Sequence, residues 1–445
     1  MLTHTMINEA LARCGSSGRA AIGNFCAVTL DSRTARPGDI FCAFKGERAD
    51  GHAFVATLCA QGVLCIGSEP MTVTGYARVA DVTRFLAVFA RLKRDTLPAQ
   101  VLAITGSSGK TTTRQFAARM LALSGKSVHG TSGNLNNHLG LPLTILNAPE
   151  DREIIVLEMG MNHAGEIAHL CAVADPDAVL ITNIGFAHIG NFASRDGLAA
   201  AKLEIFDHSR GRVVADIDDP YIARWLAAHP ERSATTYSAA GSAADLTVCD
   251  AGDGRMVLRW EGVEYAAPLP DLPDYMVQNF AAAAALVLPY VASPAPLFGV
   301  FEDLALPPYR GERVVRGEQV FIADCYNANP DSMLRSIENF IIKADGGDHG
   351  GRYLVLGDMA ELGNFSENFH RELVKKIKTL TVIDKTFLLG EEFEKIADDF
   401  IEDERFLLFH SNKELAAALP PRGLFLVKGS RRNRLETIFE PVGGR

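Results

Sequence analysis

The chain has 445 residues, of which 47% are hydrophobic and 22% are charged, and its formal net charge is −10. This length predicts two to four domains of roughly 100–200 residues each, and the composition is typical of a globular protein. The negative net charge argues against nonspecific nucleic-acid binding, because a phosphate backbone requires a basic face.

The eight cysteines form neither a C-x-x-C pair nor a cysteine–histidine cluster at zinc spacing. They indicate reduced thiols and therefore a reducing compartment. The N-terminus lacks the basic and apolar pattern of a signal peptide. The most apolar tract, residues 280–292, is too short to span a bilayer and contains Pro289. We therefore expect a cytoplasmic protein without a membrane span, in which this tract is a buried helix.

The predicted elements divide the chain into three α/β domains. The first, residues 1–97, has short β-rich runs separated by turn signals such as Arg36-Pro37-Gly38-Asp39. In the second, residues 98–311, strand and helix patterns alternate, as in a parallel α/β sheet. Its continuous apolar runs, which predict buried parallel strands, lie at residues 101–105, 154–157 and 178–181.

The third segment, residues 312–445, repeats short apolar runs that end in polar or glycine residues. These runs lie at residues 320–323, 353–356, 387–389 and 424–427. The pattern is typical of an open doubly wound sheet, where ligands gather at the carboxyl ends of the strands. The fold prediction is therefore α/β: a small N-terminal α/β domain, a central P-loop-type parallel sheet with helices on both faces, and a C-terminal Rossmann-like domain.

A glycine-rich turn follows the predicted strand at 101–105 and opens an amphipathic helix. Its residues are Gly106, Ser107, Ser108, Gly109, Lys110, Thr111 and Thr112. In such a phosphate loop, backbone N–H groups face phosphate oxygens, Lys110 adds positive charge, and a Thr111 or Thr112 hydroxyl can hold Mg²⁺. Only two residues separate the glycines, fewer than in the common P-loop pattern. The alternative, a glycine turn with a solvated lysine, is disfavoured by the preceding strand and the following threonines.

Two polar side chains follow the next two predicted strands. Glu158 closes the strand at 154–157, where a carboxylate can bind Mg²⁺, and His188 follows the strand at 178–181. Because parallel strands direct their carboxyl ends to one edge, we expect both side chains beside the phosphate loop. The alternatives are a helix-capping role for Glu158 and a structural role for His188.

Lys202 lies in an apolar helical stretch, residues 197–206. A solvated lysine on a helix face is the simplest interpretation. A desolvated lysine would instead have a depressed pKa, and its neutral amine could react with CO₂. The residues alone leave both interpretations open.

These residues together resemble those of the Mur ligases, which build the peptide stem of peptidoglycan and whose phosphate loop reads T-G-x-x-G-K-T-T. The resemblance covers nearly the whole chain. It is closest to the branch of the family that joins D-alanyl-D-alanine to UDP-N-acetylmuramoyl-tripeptide. The segments that carry it are Leu30-Asp31-Ser32-Arg33, Arg36-Pro37-Gly38-Asp39, Lys45-Gly46, Asp50-Gly51-His52, Gly133-Asn134-Leu135-Asn136-Asn137, Tyr326-Asn327-Ala328-Asn329-Pro330-Asp331-Ser332, Gly357-Asp358-Met359-Ala360-Glu361-Leu362-Gly363 and Lys428-Gly429-Ser430-Arg431.

The resemblance implies an ATP- and Mg²⁺-dependent amide ligase that works through an acyl phosphate. Lys110 and Thr111 would contact the phosphates and Mg²⁺, Glu158 would be a metal ligand, and His188 would lie at a second metal site. Lys202 matches the family lysine that is carbamylated and helps to hold the metal. Lys110, Glu158, His188 and Lys202 are thus the implied catalytic residues. The implied nucleotide contacts outside the phosphate loop are Asn279, Arg313, Asp324 and Tyr326.

The resemblance also implies the two other substrates, and a monomer as the working state. The residues expected to face the UDP-sugar are Ser32, Arg33, Lys45, Asn134, Asn136 and Asn137. Asn329 and Ser332 are candidates for contact with D-alanyl-D-alanine. One stretch departs from the family pattern: Pro273-Asp274-Tyr275-Met276 stands where Gly-x-His-Asn is usual, which leaves the details of adenine contact open.

Three alternative functions are each disfavoured by a feature of the sequence. A sister ligase that adds the third amino acid of the stem usually carries Asp-Asn-Pro-Arg, which the chain lacks. Folylpolyglutamate synthase usually reads Gly-Lys-Gly in its loop, whereas this chain has Gly109-Lys110-Thr111. A regulatory nucleotide-binding protein without ligase chemistry would leave the Asp31-Ser32-Arg33 and Asn134–Asn137 elements unexplained.

Overall fold

A computed structural model of the chain describes residues 1–16, 23–46, 49–269, 273–302, 308–343 and 350–439. Its strands form four sheets in three successive segments of the chain. Residues 440–445, the end of the predicted third domain, lie outside the described ranges. Within those ranges, no helix is both long and apolar enough to cross a membrane.

The N-terminal segment contains a two-stranded antiparallel sheet and a four-stranded parallel sheet. Its strands are β1 (Leu2–Thr3), β2 (Asn24–Phe25), β3 (Val28–Thr29), β4 (Ile40–Cys42), β5 (Leu64–Gly67) and β6 (Tyr76–Arg78), and its helices are α1 (His4–Arg13), α2 (Val55–Ala60) and α3 (Val82–Arg94). The larger sheet has the order β3-β4-β5-β6. The loops after β3 and β4 therefore leave the sheet at the same edge.

The central segment forms a nine-stranded sheet. Its strands are β7 (Gln100–Thr105), β8 (Val128–Gly130), β9 (Ile154–Glu158), β10 (Ala178–Ile181), β11 (Arg212–Asp216), β12 (Ala234–Ser238), β13 (Leu246–Asp250), β14 (Arg255–Trp260) and β15 (Val263–Pro268). Its helices are α4 (Lys110–Leu123), α5 (Gly140–Leu146), α6 (Glu166–Ala174), α7 (Arg195–Asp207), α8 (Pro220–Ala228) and α9 (Asp274–Val287). The strand order is β15-β14-β13-β12-β11-β10-β7-β9-β8.

Helices cover both faces of this sheet, as predicted. Along β7, Leu102 and Ile104 pack in the same core as α4 and α9, whereas Val101 and Ala103 pack in the core that contains α5, α6 and α7. Side chains alternate along a strand, so a strand covered on both faces must be apolar at every position. That requirement explains the uninterrupted apolar runs from which the strands were predicted.

Three of the nine strands of the central sheet were predicted, and an antiparallel part at one edge is among those that were not. Strands β13, β14 and β15 form an antiparallel extension at one edge of the otherwise parallel sheet. A two-residue turn joins β14 to β15, with φ of 51° at Glu261 and 77° at Gly262. Positive φ at both turn residues is the geometry of a tight hairpin. The Glu-Gly pair was the available sequence signal.

The C-terminal segment forms a six-stranded sheet of order β16-β17-β21-β18-β19-β20, in which only β16 pairs antiparallel. Its strands are β16 (Glu312–Arg316), β17 (Glu318–Ala323), β18 (Arg352–Gly357), β19 (Lys385–Leu389), β20 (Phe406–Phe409) and β21 (Arg422–Lys428), and its helices are α10 (Pro330–Lys343), α11 (Ser366–Lys378), α12 (Glu391–Glu394) and α13 (Asn412–Ala418). The four predicted apolar runs all lie within these strands.

The apolar tract at 280–292 is a buried helix over most of its length. Helix α9 ends at Val287, and a 3₁₀ turn over Leu288–Tyr290 follows at Pro289. Every side chain from Phe280 to Leu288 is buried. Proline cannot donate the backbone hydrogen bond that would continue the helix, which accounts for its end.

Candidate active site

The phosphate loop lies between β7 and α4, and neighbouring strands hold its backbone. The Ser107 N–H donates to the Asn183 carbonyl (2.9 Å), and the Ser108 N–H donates to Asn183 Oδ1 (3.1 Å). The Thr182 hydroxyl donates to the Ser108 carbonyl (2.6 Å). The end of β10 therefore sets the position of the loop that follows β7.

Glycine is required at both ends of this loop. Gly106 has φ of 144°, and a Cβ there would lie 1.9 Å from Thr182 Oγ1. Gly109 has φ of 79°, and a Cβ there would lie 2.2 Å from Asn279 Oδ1. An L side chain rarely adopts such a backbone conformation, and neither site has room for one. The loop thus turns tightly into the N-terminus of α4, where N–H groups and helix polarity favour an anion.

Lys110 is the first residue of α4 and folds back over the loop. Its Nζ donates to the Gly106 carbonyl at 2.6 Å. Burial lowers the pKa of Lys110 from its ordinary value, and the negative charge of Glu158 acts in the opposite direction. The ammonium group is therefore held beside the glycine loop, in the position that phosphate binding needs.

Glu158 ends β9 and is almost fully buried beside this loop. Its Oε1 accepts a hydrogen bond from Asn136 Nδ2 (2.8 Å), while Oε2 lies 3.5 Å from Arg114 Nε. Among the described residues, Oε2 has no hydrogen-bond partner. Mg²⁺ is commonly bound by one or two carboxylates together with phosphate oxygens, so this oxygen and the nearby Thr111 hydroxyl fit such an ion.

His188 follows β10 and contacts the C-terminal segment. Its Nδ1 lies 2.5 Å from Glu361 Oε2, although the N–H direction is not aligned as in a good hydrogen bond. Contact with His188, and then the charge of Lys110, hold the pKa of Glu361 below its ordinary value. The described chain contains no group of three His, Cys, Asp or Glu side chains that could hold a metal unaided. Any metal here would therefore also need phosphate, water or other oxygen ligands.

Lys202 lies on α7 and is 1% exposed. Burial, reinforced by the positive charge of Lys110, lowers the pKa of Lys202 well below its ordinary value. The solvated helix-face interpretation is therefore wrong, because the helix turns this lysine into the protein. Lys202 is not among the residues that line the cleft containing the phosphate loop.

A cleft of about 600 Å³ brings most of the predicted residues together between the central and C-terminal sheets. Its lining includes Ser107, Ser108, Gly109, Lys110, Thr111, Thr112, Asn134, Asn136, Asn137, Glu158, His188, Asn279, Asp324, Tyr326, Asn329 and Ser332. A hydrogen bond from Asn329 Nδ2 to Ser108 Oγ (3.2 Å) joins the two sides. The carboxyl ends of parallel strands thus meet a second domain at one site.

The chain is similar to known proteins over almost its entire length. Residues 25–103 match the Mur ligase family catalytic domain, residues 104–287 the Mur ligase middle domain, and residues 309–431 the Mur ligase glutamate ligase domain. The UDP-N-acetylmuramoyl-tripeptide–D-alanyl-D-alanine ligase of Bacillus subtilis is 33% identical over 430 residues, which are 93% of this chain and 92% of that protein.

The chain belongs to the Mur ligase family. A crystal structure of MurF from Acinetobacter baumannii, 28% identical, covers 98% of this chain and 97% of its own with a TM-score of 0.85. MurF from Thermotoga maritima in complex with ADP, also 28% identical, covers 93% and 96% with a TM-score of 0.79. This Mur ligase is an ATP-dependent enzyme that forms an amide bond. The predicted α/β fold with three domains is confirmed.

The predicted UDP-sugar contacts of this Mur ligase lie in two places. Ser32 and Arg33 follow β3 and Lys45 follows β4, so they share the carboxyl edge of the N-terminal sheet. Arg33 is exposed and pairs with Asp31 (2.7 Å), which lowers the pKa of that carboxyl to about 2. Asn134, Asn136 and Asn137 line the cleft instead.

The loop that contains Asn134, Asn136 and Asn137 also has a structural role, which was not predicted from the sequence. Asn137 Oδ1 accepts hydrogen bonds from the Leu139 and Gly140 N–H groups, at the start of α5. The Asn136 side chain is bound to Glu158, as described above, and its carbonyl accepts from the Gly160 N–H (2.8 Å). The loop therefore helps to hold the Glu158 carboxylate beside the phosphate loop.

Of the predicted nucleotide contacts of the ligase outside the phosphate loop, Asn279, Asp324 and Tyr326 line the cleft, whereas Arg313 is not among the lining residues. Arg313 lies on β16 with an exposed side chain, while Arg310 lines the cleft and stacks on Tyr326, 4.2 Å from the ring centroid. Asp324 pairs with Lys428 (2.7 Å). In the stretch that departs from the family pattern, Tyr275 and Met276 line the cleft in the first turn of α9.

Six charged residues of the cleft had no role assigned from the sequence of this Mur ligase: Arg114, Glu166, Arg310, Arg335, Glu361 and Lys428. Arg114 lies one turn after Lys110 on α4, so helical spacing could have indicated it. Lys428 ends β21, at the strand edge where ligands gather. Arg310 and Glu361 lie in loops, and their position depends on how the domains meet.

Proposed function

We propose that this Mur ligase joins D-alanyl-D-alanine to UDP-N-acetylmuramoyl-tripeptide at the expense of ATP, in peptidoglycan precursor synthesis. The observation that carries the proposal is the single cleft in which the phosphate loop, Glu158 and His188 meet the C-terminal domain. The relatives named for this reaction match the chain from its N-terminal sheet to its C-terminal domain. Because ATP is the phosphoryl donor, we place the reaction in the cytoplasm, and we propose a monomer.

The chemistry requires activation of the tripeptide carboxylate. A carboxylate does not condense with an amine near neutral pH, since its oxygen is a poor leaving group. Transfer of the ATP γ-phosphoryl group yields an acyl phosphate and ADP. The amine of D-alanyl-D-alanine then attacks the acyl carbon, a tetrahedral intermediate forms, and inorganic phosphate leaves as the amide bond is made.

The side chains of the cleft match the demands of phosphoryl transfer, which needs positioning and charge neutralisation more than covalent help. Lys110 would neutralise phosphate oxygens held by the loop N–H groups. Thr111 and Glu158 would hold one Mg²⁺ and His188 a second, and bound Mg²⁺ would offset phosphate charge. The positive charge of Arg114 stabilises the buried Glu158 oxygen that accepts no hydrogen bond from the described residues.

We also propose that Lys202 is carbamylated. Its side chain is buried, and both this burial and the positive charge of Lys110 disfavour the protonated amine. A neutral amine reacts with CO₂ to give a carbamate and a proton, which converts a costly buried cation into an anion. That anion would complete the oxygen ligands beside His188.

The acyl phosphate must be protected from water, and the domain arrangement supports this need. The C-terminal domain lies over the phosphate loop through Asn329 and over the His188 loop through Glu361. Asn329 and Ser332 lie at the start of α10, facing the cleft, and we propose them as contacts for D-alanyl-D-alanine. We propose Ser32, Arg33 and Lys45 as contacts for the uridine end of the other substrate.

A phosphate-release assay tests the proposed function. Purified enzyme with ATP and Mg²⁺ should release phosphate only when both UDP-N-acetylmuramoyl-tripeptide and D-alanyl-D-alanine are present. The product should have the mass of the UDP-sugar pentapeptide. Release that is equally fast without either peptide substrate would refute the ligase, and release with a single amino acid in place of the dipeptide would favour the sister enzyme.

A further inference from the structure

Two residues with uncommon backbone conformations face each other across the domain boundary. His188 has φ of 68° and Glu361 has φ of 63°. Non-glycine residues seldom adopt the left-handed region, and those that do cluster at functional sites. Here the two belong to different domains, they form the 2.5 Å contact described above, and both line the cleft.

The contact is built into the backbone as well as the side chains. The Gly190 N–H donates to the Glu361 carbonyl at 2.9 Å. A Cβ on Gly190 would lie 2.5 Å from the Gly363 nitrogen. The φ of Gly190 is not positive, so the backbone conformation itself does not require glycine there. The close approach of the two loops therefore fixes where the Glu361 side chain can reach.

We infer that Glu361 is a positioning residue for His188, supplied by the C-terminal domain only when it lies against the central domain. A carboxylate beside Nδ1 favours the proton on that nitrogen and leaves Nε2 available to a metal ion or a phosphate oxygen. Carboxylates commonly orient metal-binding histidines in this way. Glu361 and Lys110 line the same cleft, so the carboxylate lies within the proposed phosphoryl-transfer site.

This arrangement makes the completeness of the site depend on domain closure. With the domains apart, the imidazole loses the carboxylate, and Nδ1 and Nε2 compete for the proton. With the domains together, the Glu361 carboxylate lies beside Nδ1 and favours the proton on that nitrogen. The inference rests on the proposed function only for the nature of the ligand, a metal–nucleotide complex.

The test compares the full-length enzyme with Glu361→Ala and Glu361→Gln, and with Glu372→Ala as a control. Glu372 is an exposed glutamate on α11 of the same domain. The first readout is the ¹⁵N spectrum of the His188 ring with ADP and Mg²⁺, assigned by its loss in His188→Gln. The second is Mn²⁺ affinity in the presence of ADP.

We expect the wild-type ring to carry its proton on Nδ1, and Glu361→Ala to shift it towards Nε2. Mn²⁺ affinity should fall by roughly 10–100-fold in Glu361→Ala. The loss should be smaller in Glu361→Gln, because its amide oxygen can still accept a hydrogen bond from the ring. Glu372→Ala should match the wild type. The inference is overturned if either readout in a folded Glu361→Ala protein equals that of the wild type.

Neither readout uses the peptide substrates, so the two proposals can fail separately. An enzyme without dipeptide-dependent phosphate release would refute the proposed function while leaving the effect on His188 intact. In active enzyme, kcat should fall in Glu361→Ala with an unchanged KM for the UDP-sugar substrate. A purely structural role would leave the ring proton where it is.

Discussion

At the scale of single residues, Lys202 stands in an environment that a charged ammonium group does not tolerate well. Its side chain is buried on α7, and the charge that acts on it is that of Lys110, also a cation. An unpaired buried charge is strongly unfavourable, so the group must lose its proton or react. Sequence composition favoured neither outcome, because the burial of one helix face is decided by packing.

Carbamylation of Lys202 gives a prediction with a direct spectroscopic readout. Wild-type enzyme in ¹³C-bicarbonate should show a carbamate carbon signal that is absent from Lys202→Ala. The variant should lose roughly 10–100-fold in kcat, as expected when a metal-supporting group is removed, and added bicarbonate should not restore it. Lys375→Ala, at an exposed lysine on α11, is the matched control. Full activity of Lys202→Ala would remove the role.

Asp216 provides a prediction about stability and pH. This carboxyl ends β11, is 1% exposed and accepts hydrogen bonds from the Asp218 N–H and from Gln278. Burial raises its pKa from 3.8 to about 7. The folded state therefore holds a proton that the unfolded state has released, and stability contributed by Asp216 falls as pH rises from about 4 to about 7.

Asp216→Asn should remove that fall. Between pH 5 and pH 8 the melting temperature of the wild type should drop by about 2–4 °C more than that of the variant. Thermal unfolding at four pH values measures the difference, with the exposed Asp151→Asn as control. Parallel pH profiles for Asp216→Asn and the wild type would contradict the assignment.

At the scale of elements, the phosphate loop depends on α9 as well as on its own glycines. Gly109 lies against the Asn279 side chain, which also accepts a hydrogen bond from Thr113 on α4. Asn279 was predicted as an adenine-side residue, and that role stays a proposal. Its position shows a second function, which is to pack the start of α9 against the turn that binds phosphate.

Gly109→Ala should therefore weaken nucleotide binding in a protein that still folds. The new Cβ strains a left-handed turn and meets Asn279, so the loop must shift, and ADP affinity should weaken by roughly tenfold or more. Calorimetric titration with ADP and Mg²⁺ measures the change. Gly197→Ala lies on α7 with no close neighbour under 3.7 Å and should bind ADP normally. Unchanged affinity in Gly109→Ala would contradict this account of the turn.

Elements with both faces covered were predictable, and elements at sheet edges were not. The runs at 101–105 and 178–181 were assigned correctly because a doubly covered strand must be apolar throughout. Strand β15 forms one edge of the sheet, and β13, β14 and β15 all carry polar residues that are partly or fully exposed, so their apolar content gave little signal. The same limit applies to Arg313, which is exposed on β16, and to Arg310, which lines the cleft and had no role predicted. Both flank the start of β16, and which one faces the cleft depends on another domain.

At the scale of the whole molecule, the site is shared between domains that approach each other through small residues. Gly185 leaves room for Asp331 of α10, whose carboxylate accepts a hydrogen bond from the Phe186 N–H (2.7 Å). Gly190 and Gly363 leave room for each other. A motif within one domain does not predict such contacts, because each glycine is required by a residue of the other domain that packs against it.

Gly190→Ala tests whether this contact governs closure. Alanine suits the backbone at 190, so the central domain should fold and bind ADP as before. Its Cβ would nevertheless press on Gly363 and Glu361, so the C-terminal domain should be displaced. We expect kcat to fall by roughly 10–100-fold, because misplaced reacting groups lose most of the advantage of orientation. X-ray scattering with ADP should show a larger radius of gyration than in the wild type, whereas Gly197→Ala should match it. If Gly190→Ala turned over normally with unchanged scattering, the two loops would not need to meet for the amide bond to form.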